Sequence, residues 1–376
     1  MNSSWIELNG EALRHNVRFF SQLVGAHKLC PVLKSNAYGH GLQEIYELLA
    51  PLDPQNLGVN SLSEALFLRQ LGFTGCLIVF AALPRESLPQ AHKASIEYFV
   101  TDQESLQHWL ASPSKPRIHL KFNTGLNRQG LALDQAPHIA EQCKHFRSQL
   151  VGICTHFANV EDVSNHTFTE RQLALFGEVR RIFREAGLRV KAHCASSASG
   201  LLLPESHLDL LRLGISLYGL WPSPLTKLSY CASNKNGAEA LRPVLSWRCP
   251  LSLIQTLAAG EFVGYGCTFR ASQPMKIALL RVGYFEGYPR LGASQGGSYV
   301  LVKGQRCPLL GRISMNMMMV DVSSVAEAKV GSIATLIGSD GNEQLSAEDL
   351  GAWAQSINYE IVARLNPDIP RQRSCS

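Results

Sequence analysis

Short apolar runs alternate with amphipathic stretches along roughly the first 220 residues of the chain. The apolar runs are rich in β-branched residues and have the length of buried strands. They begin roughly 20 to 40 residues apart, which leaves room for a helix and two loops in each interval. The predicted strands cover residues 31–34, 57–60, 76–81, 96–100, 118–122, 151–156, 190–194 and 210–213. The amphipathic stretches predict helices over residues 41–49, 61–71, 102–110 and 170–186.

About eight strand–helix units in succession predict an α/β fold, a TIM-like (β/α)₈ barrel that spans residues 9–222. An open doubly wound sheet would show the same alternation. No Gly-x-Gly-x-x-Gly motif follows an early strand, however, and that motif is typical of dinucleotide-binding sheets of the doubly wound class. The barrel is therefore the favoured fold for this part of the chain.

The composition changes after Pro222. Residues 223–240 are polar and rich in turn-forming residues, so we expect a linker there. Residues 241–376 contain alternating runs separated by Gly and Pro, which predicts a mainly β C-terminal domain. Its expected strands lie at 251–257, 276–282, 299–303, 317–322 and 333–337. A further strand, Trp-Ile-Glu-Leu in the N-terminal segment 1–8, is expected to join the sheet of this second domain rather than the barrel.

The composition narrows the class of protein. Hydrophobic residues make up 45% of the chain and charged residues 17%, which is usual for a folded globular protein. The net charge of +5 is small and the basic residues are dispersed, so nucleic-acid binding is not expected. No apolar run approaches the ~20 residues that span a membrane, and the start has no signal-peptide pattern, which predicts a cytoplasmic protein. The 10 cysteines include no Cys-x-x-Cys pair, so we expect free thiols and no metal site.

Lys34 follows the first predicted strand and begins a loop with two glycines, Lys-Ser-Asn-Ala-Tyr-Gly-His-Gly at 34–41. Burial lowers the pKa of a lysine, and a neutral amine can form a Schiff base with an aldehyde cofactor. The active site of a barrel lies at the carboxyl ends of its strands, and phosphate is often bound after strands seven and eight. Ser197 follows the seventh predicted strand and Gly214-Ile215 follows the eighth, so small residues stand where a phosphate would bind.

The segment at 34–41 closely resembles the pyridoxal-phosphate lysine segment of the alanine racemases. Glu-Phe-Val-Gly-Tyr-Gly-Cys-Thr-Phe at 261–269 resembles the segment that carries the catalytic tyrosine of that family, and Tyr265 occupies the tyrosine position. The resemblance spans nearly the whole chain. It implies an enzyme that interconverts L-alanine and D-alanine, with Lys34 and Tyr265 as two bases that transfer protons on a pyridoxal 5'-phosphate aldimine. It also implies a cytoplasmic source of D-alanine for peptidoglycan.

The same resemblance implies a cofactor site. Arg212 matches the arginine that faces the pyridine nitrogen, and such an arginine keeps its proton because its own pKa exceeds about 12. The ring nitrogen then stays unprotonated, which favours simple proton exchange over transamination or decarboxylation. His156 and His193 match histidines that connect the catalytic tyrosine to this arginine. The residues expected to bind the cofactor are Lys34, Tyr38, His156, His193, Ser197, Arg212, Gly214, Ile215 and Tyr359.

Substrate contacts are implied as well. Arg128 in the segment 120–130 matches the arginine that contacts the substrate carboxylate, and Met315 and Asn316 belong to the loop whose methionine N–H binds the same group. Lys121 aligns with a lysine that is carbamylated in many relatives, where it holds that arginine; an ordinary charged lysine is the alternative. The family places its catalytic tyrosine in the active site of the partner subunit, so a homodimer with composite sites is expected.

Four departures from the family pattern stand out. Asn316 and Asn123 occupy positions where Asp is usual. Ser196 replaces an Asn, and Phe-Glu at 285–286 replaces Ala-Asp. The lost charge at Asn316 is expected to alter substrate affinity or the tolerance for larger amino acids.

Three tyrosines, Tyr265, Tyr284 and Tyr359, remain at the positions that narrow the pocket in the family, which favours a small substrate. A broader racemase that acts on serine or other amino acids is the alternative among enzymes. A non-catalytic pyridoxal-phosphate carrier protein is the alternative from another class, since such proteins share a barrel and a similar lysine segment. They lack the β domain and hence any counterpart of Tyr265.

Overall fold

The computed structural model describes residues 4–161, 165–234, 237, 240–294 and 297–374. The chain divides into two compact units. The barrel unit comprises Ala12–Ser35 and Ile45–Arg242. The sheet unit comprises the described residues up to Glu11, Asn36–Glu44 and the described residues from Pro243 onward.

The barrel unit contains eight short strands. They are numbered from β2, because β1 (Trp5–Leu8) belongs to the sheet unit. They are β2 (Leu29–Pro31), β3 (Asn56–Val59), β4 (Cys76–Val79), β5 (Ile96–Val100), β6 (Ile118–Lys121), β7 (Leu150–Cys154), β8 (Lys191–His193) and β9 (Leu211–Leu213). Strands β3 to β8 pair in chain order and in parallel, and β2 pairs in parallel with β9.

The ring of strands closes through two further contacts. A parallel bridge between Val32 and Gly58 joins β2 to β3. Between β8 and β9, the Asp209 N–H donates to the Ala192 carbonyl at 3.0 Å. The predicted (β/α)₈ barrel is confirmed, with each of the eight strands at a predicted position.

Burial on both faces explains why the barrel strands were recognisable. Every residue of β3, β5 and β6 is buried, as expected for parallel strands covered on one face by helices and on the other by the barrel core. The first strand is an exception to the predicted bounds, since it ends at Pro31 and not at residue 34. Lys34 instead begins a helical turn, because the backbone takes positive φ angles from Ser35 onward.

The helices are bounded by recognisable caps. Ser61 and Glu64 form a capping box, as do Asp102 and Ser105, so two predicted helices begin one residue after these N-caps. The helices are α1 (Gly10–Val24), α2 (Lys34–Tyr38), α3 (Leu42–Leu49), α4 (Leu62–Gln70), α5 (Leu88–Lys93), α6 (Gln103–Ala111), α7 (Ala136–Cys143), α8 (Thr167–Glu185), α9 (Ser197–Leu202), α10 (Pro224–Ser233), α11 (Ala347–Trp353) and α12 (Asn358–Ala363). None of the described helices is long and apolar enough to cross a membrane.

The segment 223–240 was predicted as a linker. It contains helix α10, and its described part lies in the barrel unit, which extends to Arg242. The Ser223 hydroxyl accepts the Thr226 N–H at 3.1 Å and Pro224 occupies the first helical position, a combination that starts helices. The Tyr230 ring packs against Trp221 with centroids 5.8 Å apart. Residues 235, 236, 238 and 239 of the segment lie outside the described residues.

The sheet unit is built on one long strand. Its strands are β1, β10 (Leu245–Leu257), β11 (Phe262–Val263), β12 (Phe269–Arg270), β13 (Met275–Leu280), β14 (Tyr299–Val302), β15 (Gln305–Leu310), β16 (Met318–Asp321), β17 (Ile333–Asp340), β18 (Glu343–Leu345) and β19 (Arg371–Arg373). Nine of them form one sheet in the order β18-β17-β14-β15-β16-β13-β10-β1-β19, and β17 also pairs with β10. That extra pairing closes six of the strands into a small barrel.

The N-terminal strand belongs to this sheet. Trp5 pairs with Arg248 in the antiparallel register of β1 and β10, and β1 pairs in parallel with β19 on its other side. The five strands expected in this region are present as β10, β13, β14, β16 and β17. Strand β15 was not predicted because its sequence, Gln-Arg-Cys-Pro-Leu-Leu, is half polar and contains a proline.

Candidate active site

The carboxyl ends of the barrel strands bring five predicted site residues to one end of the barrel. Lys34 follows β2 after two residues, Lys121 ends β6, His156 follows β7, His193 ends β8 and Arg212 lies in β9. Because all eight strands are parallel, these side chains share the end at which barrel enzymes carry their chemistry. The remaining predicted residues of the barrel unit are Arg128, Ser197, Gly214 and Ile215, and those of the sheet unit are Tyr38, Tyr265, Met315, Asn316 and Tyr359.

Arg212 is buried, with 7% of its surface exposed. Its Nη1 donates to His193 Nδ1 at 2.5 Å and to the His193 carbonyl at 3.1 Å. Its Nη2 donates to the carbonyls of Thr155 at 2.8 Å and Cys194 at 3.1 Å, and it lies 3.2 Å from His156 Nδ1. Within the described residues only the Nε–H lacks an acceptor. The terminal nitrogens therefore fix the guanidinium, and one N–H is left for a ligand.

Both histidines beside Arg212 are neutral. Burial, followed by the positive charge of Arg212, lowers the pKa of His193 and of His156 well below the usual value. Each ring can then present an unprotonated Nδ1 to the guanidinium. The predicted group of His156, His193 and Arg212 is thus assembled by direct hydrogen bonds.

Two residues that sequence analysis did not identify extend this group. His119 Nδ1 lies 3.0 Å from His193 Nε2, and His119 Nε2 lies 2.9 Å from Glu97 Oε2. Both side chains are buried, on β6 and β5 respectively. The sequence did contain a signal for Glu97 and His119. Each is a titratable residue inside a short apolar strand, and such residues are rarely buried without a partner.

Lys34 lies in an environment that favours its neutral amine. Burial lowers the pKa of Lys34, and the charges of Arg128 and Arg212 lower it further, against the opposing charge of Glu64. Glu64 also accepts the Ser35 N–H at 2.6 Å. This carboxylate, which caps α4, therefore fixes the chain immediately after Lys34.

The turn that follows Lys34 is left-handed. Ser35, Asn36, Ala37 and Tyr38 have φ angles of 56°, 53°, 51° and 53°. Left-handed helical backbone costs roughly 1–2 kcal/mol per residue for L-amino acids, so this turn requires support from its surroundings.

Contacts within the sheet unit supply part of that support. The Asn36 side chain accepts the Leu42 N–H at 2.8 Å. Arg371 donates from Nη2 to the Gly39 carbonyl at 2.8 Å. A Cβ at Gly39 would lie 1.8 Å from the Val362 carbonyl oxygen, so only glycine fits this close approach.

Small hydroxyl and amide groups gather between β8 and β9. The Ser197 hydroxyl accepts the Gly214 N–H at 3.1 Å and the Ser216 N–H at 3.3 Å. Ser196, which replaces the Asn of the family pattern, caps α9 in a box with Ser199. The predicted Ser197, Gly214 and Ile215 are therefore adjacent, in the part of a barrel that commonly binds phosphate.

Lys121 is buried among cationic neighbours. Burial lowers the pKa of Lys121 to about 8, and the charges of Arg212, Arg128 and Lys34 act in the same direction, with Cys154 opposing them. The loop to Arg128 is shaped by Asn123, whose side-chain oxygen accepts the N–H groups of Gly125 at 3.1 Å and Asn127 at 3.0 Å. The departure from Asp at position 123 therefore preserves a turn-forming acceptor.

Among the predicted site residues of the sheet unit, two tyrosines lie against each other and two other residues are exposed. Tyr38 and Tyr359 lie together, with ring centroids 6.3 Å apart, and burial raises the pKa of Tyr38. Tyr265 is 73% exposed and Met315 54% exposed. The Tyr265 phenol forms no hydrogen bond within the part of the chain that the structure describes.

Two of the four departures contact each other. Asn316 Nδ2 donates to Glu286 Oε1 at 2.8 Å, and Glu286 Oε2 accepts the Gly283 N–H at 2.8 Å. An Asp at 316 would set a second carboxylate against Glu286. Asn at 316 and Glu at 286 are therefore complementary, and neither departure is independent of the other.

Comparison with known proteins places these features in one family. The family models described as alanine racemase N-terminal domain and alanine racemase C-terminal domain match residues 8–222 and 244–373. An alanine racemase of Leptospira interrogans is 38% identical over 98% of this chain and 95% of its own, and one of Methylacidiphilum infernorum is 33% identical over 98% and 92%. The crystal structure of an alanine racemase from Streptomyces lavendulae is 30% identical with a TM-score of 0.89, covering 100% of this chain and 98% of that one.

The contact between Asn316 and Glu286 predicts a measurable coupling. Asn316→Asp removes a donor and adds a like charge, so it should lower the free energy of unfolding by about 1 kcal/mol at pH 7. Adding Glu286→Gln should recover most of that loss, and the coupling is measured by a double-mutant cycle in chemical denaturation. Additive effects of the two substitutions would contradict the pairing.

Proposed function

Because the chain belongs to the alanine racemase family, whose members depend on pyridoxal phosphate, we propose that it interconverts L-alanine and D-alanine with bound pyridoxal 5'-phosphate. The observation that carries this proposal is that Lys34 and Arg212 lie at the same end of the barrel. A lysine whose pKa is lowered and an arginine with one N–H unused are the two groups that the cofactor's aldehyde and ring nitrogen require.

The donor set fits the cofactor. Lys34 would hold it covalently, and the hydroxyl and amide groups at Ser197, Gly214 and Ile215 would bind its phosphate. When bound, pyridoxal phosphate stabilises the negative charge that develops on the substrate α-carbon as its proton leaves. The further proposed contacts are Tyr38, His156, His193, Arg212 and Tyr359.

Arg212 restricts what the site can do. A guanidinium donates a hydrogen bond but does not release its proton at neutral pH, so it would leave a ring nitrogen opposite it unprotonated. The cofactor would then stabilise negative charge on the α-carbon only weakly. Rapid return of a proton would be favoured over slower reactions, as racemisation requires.

Racemisation requires a proton-transfer group on each face of the α-carbon. We assign one face to the Lys34 amine, whose pKa is lowered by burial and by Arg128 and Arg212. We assign the other face to Tyr265, because a phenol can transfer protons where cationic or hydrogen-bonding neighbours stabilise its phenolate. His156 supports this assignment. Its Nδ1 faces Arg212, so its proton is on Nε2, where it could be donated in a hydrogen bond to a phenolate.

The neighbours that Tyr265 needs would come from a second copy of the chain. Several large side chains of the sheet unit are exposed, some near Tyr265 in sequence and others in the loops near residues 285 and 315. They are Phe262, Tyr284, Phe285, Met315 and Met317. Exposed apolar residues in such number are typical of a surface that a partner covers. We therefore infer a homodimer in which Tyr265 of one subunit serves the barrel of the other.

The substrate assignment follows the same residues. Arg128 would bind the substrate carboxylate together with the backbone of Met315 and with Asn316. The tyrosines at 265, 284 and 359 leave room for a small side chain, which favours alanine over bulkier amino acids. We further infer a cytoplasmic enzyme that supplies D-alanine for the cell wall, the general role of the family.

Purified protein should form D-alanine from L-alanine, with activity that increases on addition of pyridoxal phosphate to depleted protein. Lys34→Ala should abolish both this activity and the visible absorption of the lysine-held cofactor. Chiral chromatography of the products and the absorption spectrum are the measurements. Equal turnover of serine, lysine or arginine would favour a broader racemase, and a bound cofactor with no turnover of any amino acid would favour a carrier protein.

Tyr265→Phe should remove proton exchange on one face of the α-carbon while the cofactor remains bound. The expected loss in kcat for racemisation is about 10²–10⁴-fold, the usual contribution of a general acid–base group. Exchange of the α-hydrogen with deuterated water, followed separately from L- and D-alanine, is the measurement. Tyr299→Phe is the matched control, since it removes a phenol that packs against Trp353. Full racemase activity in Tyr265→Phe would reject the two-base assignment.

Lys121 is proposed to carry a carbamate. The neutral Nζ would form a bond to the carbon of CO₂ and release one proton, which converts a buried cation into an anion beside Arg128. The anion would relieve the repulsion among Lys121, Arg128 and Arg212 and hold Arg128 for the substrate carboxylate.

Protein equilibrated with ¹³C-labelled bicarbonate should give a carbamate ¹³C NMR signal. The signal should increase as the pH rises through about 8, because the pKa of Lys121 is about 8 and only the neutral amine reacts. Lys121→Met should lose the signal and raise KM for alanine, whereas Lys144→Met, at an exposed ion pair with Glu141, should do neither. An unchanged signal in Lys121→Met would exclude this lysine.

A further inference from the structure

A line of hydrogen bonds runs from a carboxylate in the barrel wall to the Arg212 guanidinium. Glu97 Oε2 lies 2.9 Å from His119 Nε2, His119 Nδ1 lies 3.0 Å from His193 Nε2, and His193 Nδ1 lies 2.5 Å from Arg212 Nη1. All four residues are buried, with relative exposures of 3%, 1%, 0% and 7% in this order. We call these four residues the relay.

The position of every proton in the relay follows from its two ends. Arg212 can only donate, so His193 Nδ1 must be an acceptor and the proton of the neutral ring is on Nε2. His193 Nε2–H then donates to His119 Nδ1, which leaves the His119 proton on Nε2. His119 Nε2–H donates to the Glu97 carboxylate. The opposite tautomer at either ring would place two donors face to face.

Glu97 is ionised and firmly held at its end. Burial raises the pKa of Glu97, but the hydrogen bond from His119, together with the charge of Arg117, outweighs it and holds the pKa of this carboxyl below its usual value. Arg117 Nη2 lies 3.0 Å from Glu97 Oε1 at the barrel surface, and the Cys76 thiol donates to Oε2 at 3.1 Å. Among the described residues no carboxylate lies within ion-pair distance of Arg212, so Glu97 is the anion that reaches it through hydrogen bonds.

The barrel makes room for the central ring. His119 on β6 is paired in register with Gly152 on β7. A Cβ at position 152 would lie 2.0 Å from His119 Nδ1, the atom that accepts the hydrogen bond from His193. Any larger residue would displace the ring, so the glycine is required by the relay and not by its own backbone angles.

We propose that Glu97 is a positioning residue for proton transfer, because its hydrogen bond holds the His119 ring, and through it the His193 ring, in the orientation in which His193 Nδ1 accepts from Arg212. This proposal rests on the proposed role of Arg212 opposite the cofactor ring. Glu97 itself touches neither cofactor nor substrate. Its effect resembles that of a buried carboxylate that holds a catalytic imidazole in its orientation.

A purely structural role for Glu97 predicts a different result. Satisfying buried polar groups would affect thermal stability and leave the proton positions and the turnover of folded enzyme unchanged. The two roles separate in the imidazole nitrogen signals and in kcat. Three substitutions on neighbouring strands provide the comparison.

Glu97→Met removes the acceptor at nearly constant side-chain length. Gly152→Ala leaves every titratable group in place and obstructs His119 Nδ1. Arg117→Gln is the matched control, because it removes an ion pair of the same carboxylate and leaves the relay intact. Each is prepared as holoenzyme with ¹⁵N-labelled histidine, and circular dichroism and Tm are recorded before the NMR and kinetic measurements.

In wild type and Arg117→Gln, His119 and His193 should each show one neutral tautomer, with the proton on Nε2. In Glu97→Met the His119 Nε2–H loses its acceptor, so the hydrogen bond from Arg212 to His193 Nδ1 should weaken and the His193 Nδ1 signal should shift. Both Glu97→Met and Gly152→Ala should lower kcat for alanine by about 10–100-fold, the range for partners that orient a functional imidazole. KM should stay within about 2-fold, since uniform substrate binding is not affected.

An unchanged His193 Nδ1 signal in Glu97→Met overturns the proposal, as does a kcat within about 2-fold of wild type in both folded variants. If Glu97→Met does not fold, Gly152→Ala decides the question by kcat alone. Wild-type protein that does not racemise alanine would reject the proposed function, whereas the comparison of the His193 Nδ1 signal between wild type and Glu97→Met would still test the relay. The two failures are therefore distinguishable.

Discussion

The barrel interior depends on a buried guanidinium, that of Arg212, which has no carboxylate beside it among the described residues. Taking an unpaired charge out of water is expensive unless polar partners surround it. Here the carbonyls of Thr155, His193 and Cys194 converge on Arg212 from the ends of β7 and β8. Two neutral imidazoles complete the shell. The short β9 and the closure beside it are what bring these acceptors within reach of one side chain.

The second constraint is the left-handed turn from Ser35 to Tyr38. It redirects the chain immediately after Lys34, and its backbone is unfavourable by several kcal/mol if each residue costs roughly 1–2 kcal/mol. Such strain persists only where the surroundings fix it. Glu64 holds the beginning of the turn, and Arg371 and the close approach of Gly39 to Val362 hold its end. The lysine that is proposed to bind the cofactor therefore begins a segment held on both sides by residues remote in sequence.

The sequence predicted most of the fold because strands buried on both faces are continuous apolar runs, as in β5. The polar composition of 223–240 concealed a helix that Ser223 and Pro224 initiate. For the site, the strand-end residues followed from resemblance and barrel geometry. Glu97 and His119 did not, because a polar residue within an apolar strand shows no sign of which neighbour it faces. The contact of Asn316 with Glu286 joins positions 30 residues apart and required the fold.

The relay limits which groups of the proposed site can exchange a proton with a substrate. Each ring nitrogen between Glu97 and Arg212 is either a committed donor or a committed acceptor, so none is available to take a proton from a substrate. An arginine guanidinium keeps its protons at physiological pH. In the proposed mechanism, proton exchange at the α-carbon is assigned to Lys34 on one face and Tyr265 on the other. Because the relay offers no base of its own, return of a proton to the same carbon is favoured, which is the outcome that separates a racemase from other pyridoxal-phosphate enzymes.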